Sequence, residues 1–95
     1  MNTNATEKII SVLSNKRTRI SVTEENCTVN IFVLEKIMVR YAIKEGRITM
    51  SLTNTEPNSS ENQALFEFLD ENKEMLIYTA EVFWNAYNYR KSLYY

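Results

Sequence analysis

An α+β fold is what this chain predicts, on three observations. Segments between Arg19 and Thr53 are rich in Val, Ile, Thr and aromatic residues, and the two that flank Glu45-Gly46 alternate apolar with polar side chains. From Ser60 to Tyr95 apolar residues recur instead at helical spacing. Asn4 to Asn15 repeats that spacing on a smaller scale. The expected architecture is a short N-terminal helix, an antiparallel sheet of three or four strands and a long C-terminal helix or helix pair packed on one sheet face. All of it falls in a single compact domain over residues 1–95, a length that buries about two thirds of the unfolded surface without a disulfide or metal.

The N-terminal helix follows from Ile9, Ile10 and Leu13, which form one apolar stripe, and from Asn4 and Glu7, spaced as an N-terminal cap pair. The strand segments are Arg19 to Val22, Cys27 to Leu34, Ile37 to Lys44 and Arg47 to Thr53. With Glu45-Gly46 as a two-residue loop, Ile43 opposes Ile48, Tyr41 opposes Met50 and Val39 opposes Leu52, so apolar meets apolar throughout. Arg40, Ala42, Lys44, Arg47, Thr49 and Ser51 then form the other face, as in a half-buried antiparallel sheet. A competing reading of residues 29–45 is one helix from Asn30 to Glu45 stopped by Gly46. The β-branched residues Val29, Ile31, Val33, Ile37, Val39 and Ile43 favour strands. Cys27, beside Thr28 and Val29, is expected as a packed thiol within a strand.

Residues 54–59 are polar, hold the only proline and read as an exposed loop. Ser60 and Gln63 have the spacing of a capping box that opens the C-terminal helical region, and Asn72 interrupts its apolar stripe, marking a break between Asp70 and Lys73. At about 100° per residue, Leu76, Ala80, Phe83, Tyr87 and Tyr94 share one side of that region, flanked by Ile77 and Trp84. Tyr78, Val82, Tyr89 and Leu93 fall roughly opposite, leaving a narrow polar sector at Glu81, Asn85, Asn88 and Ser92. A helix apolar on two sides calls for more than one neighbour, although tyrosine hydroxyls also reach water from ordinary surfaces. The expected core joins Leu65, Leu69, Leu76, Ala80 and Phe83 to Val39, Tyr41, Ile43, Ile48, Met50 and Leu52.

Composition narrows function mainly by exclusion. The chain has no histidine, which removes His-assisted nucleophiles and His-containing zinc sites. Gly46 alone cannot supply a phosphate loop or a dinucleotide fingerprint, each of which needs several glycines. No catalytic, metal or cofactor motif is present, and the expectation is a protein that is not an enzyme and takes no cofactor. The longest aliphatic and aromatic run, Ile31 to Leu34, falls far short of the ~20 residues of a membrane span. The polar start Met1-Asn2-Thr3-Asn4 does not read as a signal peptide, and one cysteine forms no internal disulfide. A cytoplasmic protein without a membrane is expected.

Charge is uneven along the chain: residues 1–54 carry +3 and residues 55–95 carry −4. Arg40, Lys44 and Arg47, with Lys16, Arg17 and Arg19 nearby, form a basic set suited to phosphates, or simply the solvated face of a sheet. Glu67, Asp70, Glu71 and Glu74 share one helical side but lack the loop spacing of a calcium site. The leading expectation is a small protein-binding module, an inhibitor or modulator of a larger host or partner protein that acts by steric occupation. Its anchors would be Tyr78, Trp84, Tyr89, Tyr94 and Tyr95, with Arg90 and Lys91 as rim charges. Richness in Asn, Lys, Ile, Glu and Tyr suits an AT-rich genome, and phage or mobile-element accessory proteins are often of this kind, which would place it in a host cytoplasm. Nucleic-acid binding through the basic face of the 37–53 hairpin is the alternative, and assembly with itself, as a homodimer or larger homo-oligomer, is a third expectation.

Overall fold

The computed structural model describes residues 3–53 and 60–93. Helix α1 (Thr3–Leu13) leads into strands β1 (Arg19–Thr23), β2 (Thr28–Val33), β3 (Ile37–Ala42) and β4 (Arg47–Leu52), followed by helices α2 (Ser60–Glu71) and α3 (Lys73–Leu93). The strands form one antiparallel meander in the order β1-β2-β3-β4, with the helices on one side. Residues 29–45 are thus two strands and a turn, not a helix. Helix α1 includes Thr3, so Asn4 lies within its first turn. Ser60 is likewise the first residue of α2; the expected loop at 54–59 lies outside the described residues.

The turns explain where the strands stop. Glu24 to Cys27 joins β1 to β2, with the Cys27 amide donating to the Glu24 carbonyl at 3.1 Å. Cys27 therefore sits in a turn at φ +51°, half-buried, and not in a strand as the sequence suggested. Leu34 and Glu35 are both left-handed, with φ +52° and +60°, and the Lys36 amide closes that turn onto the Val33 carbonyl at 2.9 Å.

The β3–β4 connection corrects the expected register. Ala42 faces Arg47, Tyr41 faces Ile48, Val39 faces Met50 and Ile37 faces Leu52, so the turn holds four residues, Ile43 to Gly46. Gly46 supplies the left-handed closing position at φ +64°, and its amide reaches the Ala42 carbonyl at 2.8 Å. Ile43 is drawn out of the hairpin because its amide donates to the Cys27 carbonyl of the neighbouring turn at 2.9 Å. The slip is two residues, so every side chain that stays within the strands keeps its expected face, while Ile43 and Lys44 leave the sheet for the turn.

Ile20, Val22, Val29, Ile31, Val33, Ile37, Val39 and Tyr41 project to the helix side and meet Ile9, Leu69, Leu76 and Ala80. The core thus centres on β2 and β3 and not on the β3–β4 hairpin. Helix α3 packs over β2 and β1, which leaves Leu52 exposed, Ile48, Met50 and Leu65 only half-buried, and Phe83, expected in the core, exposed. Ile9 of α1 is fully buried in the same core, while Lys8 lies over the Phe68 ring at 4.7 Å.

Asn72 makes the break between the last two helices. Its side-chain amide donates to the Phe68 carbonyl at 2.8 Å, capping α2, and its own carbonyl accepts from the amides of Met75 and Leu76, opening α3.

Candidate functional site

Helix α3 is held over β1 by one carboxylate from the β1–β2 turn. Glu24 accepts a hydrogen bond from the Tyr87 hydroxyl at 2.8 Å and pairs with Lys91, one helical turn further on. Trp84 and Tyr87 stack with centroids 6.3 Å apart, both half-buried on the sheet side of the helix. That orientation turns Tyr78, Val82, Tyr89 and Leu93 outward, with 65%, 46%, 66% and 64% of their surface exposed. Rotational positions along α3 make them one strip, continuous through Ala86 with Phe83, itself 42% exposed.

Below the strip, a groove of about 440 Å³ runs between α3 and the edge strand β1. Ile20 and Val22 form its floor, Val82, Phe83, Ala86 and Tyr87 its helical wall, and Arg90 its one charged border. Arg90 forms no ion pair among the described residues.

The opposite sheet face has a different chemistry. Arg19, Phe32, Met38, Ser21, Asn30, Arg40, Thr49, Thr23, Thr28, Ala42, Arg47 and Ser51 project from it, without a single Asp or Glu. Asn30, nearly buried between its neighbours, donates to the Thr23 hydroxyl at 3.0 Å and accepts from Arg40 Nε at 3.2 Å. Arg19 lies over the Phe32 ring at 5.4 Å. None of Arg19, Arg40 and Arg47 forms an ion pair among the described residues.

The structure therefore sorts the residues singled out in the sequence. Tyr78 and Tyr89 stand together on the exposed strip, Arg90 borders the groove, Lys91 is engaged with Glu24 and Trp84 packs toward the sheet. Tyr94 and Tyr95 lie outside the described residues. Arg40 and Arg47 share the open sheet face, whereas Lys44 stands in the turn beyond it. Sequence reasoning missed the groove, because Phe83 read as a core residue and Ile20 and Val22 only as strand residues. The path of α3 leaves Ile20 and Val22 half-covered and Phe83 exposed.

Among the described residues no group of three or more potential metal-ligating side chains occurs, and no helix is long and apolar enough to cross a membrane. Tyr41, at the end of the core, has its phenol pKa raised above the ordinary value by burial first, and then by the charge and hydrogen bond of Glu81, whose carboxylate accepts from the hydroxyl at 3.4 Å. No family model matches the chain, and neither a curated protein nor a solved structure shows significant similarity to it. Function is therefore read from its surfaces.

Proposed function

We propose that this domain is a protein-binding module whose contact surface is the outer side of α3, and that it modulates a larger partner by covering part of that partner's surface. The observation that supports this reading is the continuous strip of Tyr78, Val82, Tyr89 and Leu93, which no other described element covers. Large aromatic side chains carried on a helix pinned at both Tyr87 and Lys91 are pre-organised anchors, and truncation of such anchors commonly costs 2 kcal/mol or more, roughly 30-fold in affinity. An inhibitor of the phage or mobile-element accessory type, working in a host cytoplasm, is the form of this reading that the composition favours.

The test is affinity capture from host lysate with the wild-type chain and with a Tyr78→Ala/Tyr89→Ala variant, each in nuclease-treated and untreated halves. A stoichiometric protein retained by the wild type after nuclease, and lost by a variant of unchanged circular dichroism, supports the module. Equal capture by both chains removes α3 as the contact surface.

A second reading has its own observation, the carboxylate-free sheet face on which Arg19, Arg40 and Arg47 form no ion pair among the described residues. There the ligand would be the phosphate backbone of a nucleic acid, with Ser21, Thr49 and Ser51 as further donors. Fluorescence anisotropy of a labelled single-stranded oligonucleotide tests it. Affinity that drops steeply with salt and is lost in Arg40→Glu supports it; no binding at low salt rules it out.

A further inference from the structure

We propose that the free edge of β1 pairs antiparallel with β1 of a second copy about a twofold axis at Ser21, joining two meanders into one continuous sheet. Cys27 accepts from the Ile43 amide, so in β2 the odd-numbered residues direct their backbone groups toward β3 and the even-numbered ones toward β1. Their β1 partners, Arg19, Ser21 and Thr23, are thereby bonded to β2. The amides and carbonyls of Ile20 and Val22 point away from the sheet, along an edge that no strand among the described residues pairs with.

Pairing about Ser21 places Ile20 against Val22 of the partner copy and Val22 against its Ile20, so the outward groups of each strand meet those of the other. The same register sets apolar side chain against apolar side chain on the groove side, and Arg19 against Thr23 on the open face. Beyond the strand ends the charges complement each other: the segment begins Lys16-Arg17 and ends Glu24-Glu25, so the antiparallel copy brings each acidic turn beside the other's basic lead-in. Lys16, Arg19 and Glu25 form no ion pair within the described residues of one copy.

The groove provides the second half of the fit. Ile20 and Val22 of the added strand would extend its floor beneath Val82, Phe83 and Ala86, covering apolar surface that is open in one copy. Two devices that block such pairing are missing from the β1 edge: β1 contains no proline and its ladder with β2 has no bulge. The depression beside β4, the other edge, mixes Leu52 and Phe66 with the polar Asn62, Gln63 and Glu67. An edge five residues long spans only about 17 Å, so this contact is smaller than a permanent interface and the dimer is reversible and concentration-dependent. Nothing here depends on the α3 strip binding a target.

The test measures mass and register separately. Sedimentation velocity of the purified chain from micromolar to millimolar concentration should show a shift from one chain mass to two, weakened by high salt. Residues facing each other across a non-bonded antiparallel pair lie about 4.5 Å apart, within disulfide reach. In a Cys27→Ser background, Ser21→Cys should therefore give a covalent dimer under mild oxidation, while Thr23→Cys, opposite position 19 and not itself, should give far less. Val22→Pro removes an outward amide that β2 does not use and should hold the chain monomeric. Phe83→Glu, on the exposed helix wall, is the parallel variant should Val22→Pro not fold. A single chain mass at the highest concentration overturns the proposal, as does a dimer that cross-links equally through positions 21 and 23.

Discussion

Replacing Thr18 by Val removes one hydroxyl that ties three parts of the fold together. Thr18 Oγ1 donates to the Val12 carbonyl at 2.9 Å and accepts from the Leu34 amide at 3.2 Å, linking the end of α1 and the start of β1 to the left-handed β2–β3 turn. Valine keeps the shape, so packing is little disturbed. The Val12 carbonyl retains a bond from the Asn15 amide, but the Leu34 amide has no other partner and its residue is half-buried. A lost hydrogen bond of net ~1 kcal/mol plus a partly desolvated orphan amide of similar size gives a destabilisation of about 2 kcal/mol. For a domain of this size that lowers Tm by roughly 8–16 °C. Urea unfolding followed by circular dichroism measures it directly, with Thr18→Ser as the control that restores the hydroxyl. Thr18→Val within ~0.5 kcal/mol of wild type, the usual range for a neutral surface change, would refute the account of this joint.

Leu76 is fully buried between α3 and the sheet, so Leu76→Ala should cost about 3–5 kcal/mol in the same urea assay, whereas Leu93→Ala, on the exposed strip, should be close to neutral. Gly46→Ala should cost about 1 kcal/mol, entirely through the backbone, since no atom lies within 4 Å of the added methyl and φ is +64°; Gly46→Asn should be tolerated better. The raised pKa of Tyr41 means that the folded chain keeps a proton which the unfolded chain releases near pH 10, so its contribution to stability is fully present below that pH and is lost as pH rises further. Thermal melts of wild type and Tyr41→Phe should diverge only on that alkaline side, and parallel curves throughout would show that Tyr41 does not titrate differently on folding.

Several elements were legible because their signals are local. Alternation about Gly46 marked a hairpin, Asn72 marked the break in the C-terminal helices, and the wheel of α3 separated Tyr78 and Tyr89 from Leu76 and Ala80. The register of that hairpin was not legible, because the Ile43 amide is captured by the Cys27 carbonyl, sixteen residues earlier in the chain. Cys27 itself looked like strand for the same reason: β-propensity says nothing about which residue must turn left-handed to close a neighbouring loop.

The sequence by itself determined an α+β fold, the face on which the residues of the β3–β4 hairpin lie, and a last helix with more apolar surface than one core can absorb. Those properties follow from periodicity, which is a property of neighbours along the chain. Only the tertiary structure decided which apolar residues stay uncovered. Ile20, Val22 and Phe83 have the character of core residues, and they border an open groove because α3 lies over β2 and β1 while β1 is the edge of the sheet, with no further strand beside it. Burial depends on where elements cross, and α3 crosses β2 and β1 where Leu76 and Ala80 close the core, with Glu24 bonding Tyr87 and Lys91 from more than sixty residues away in the chain.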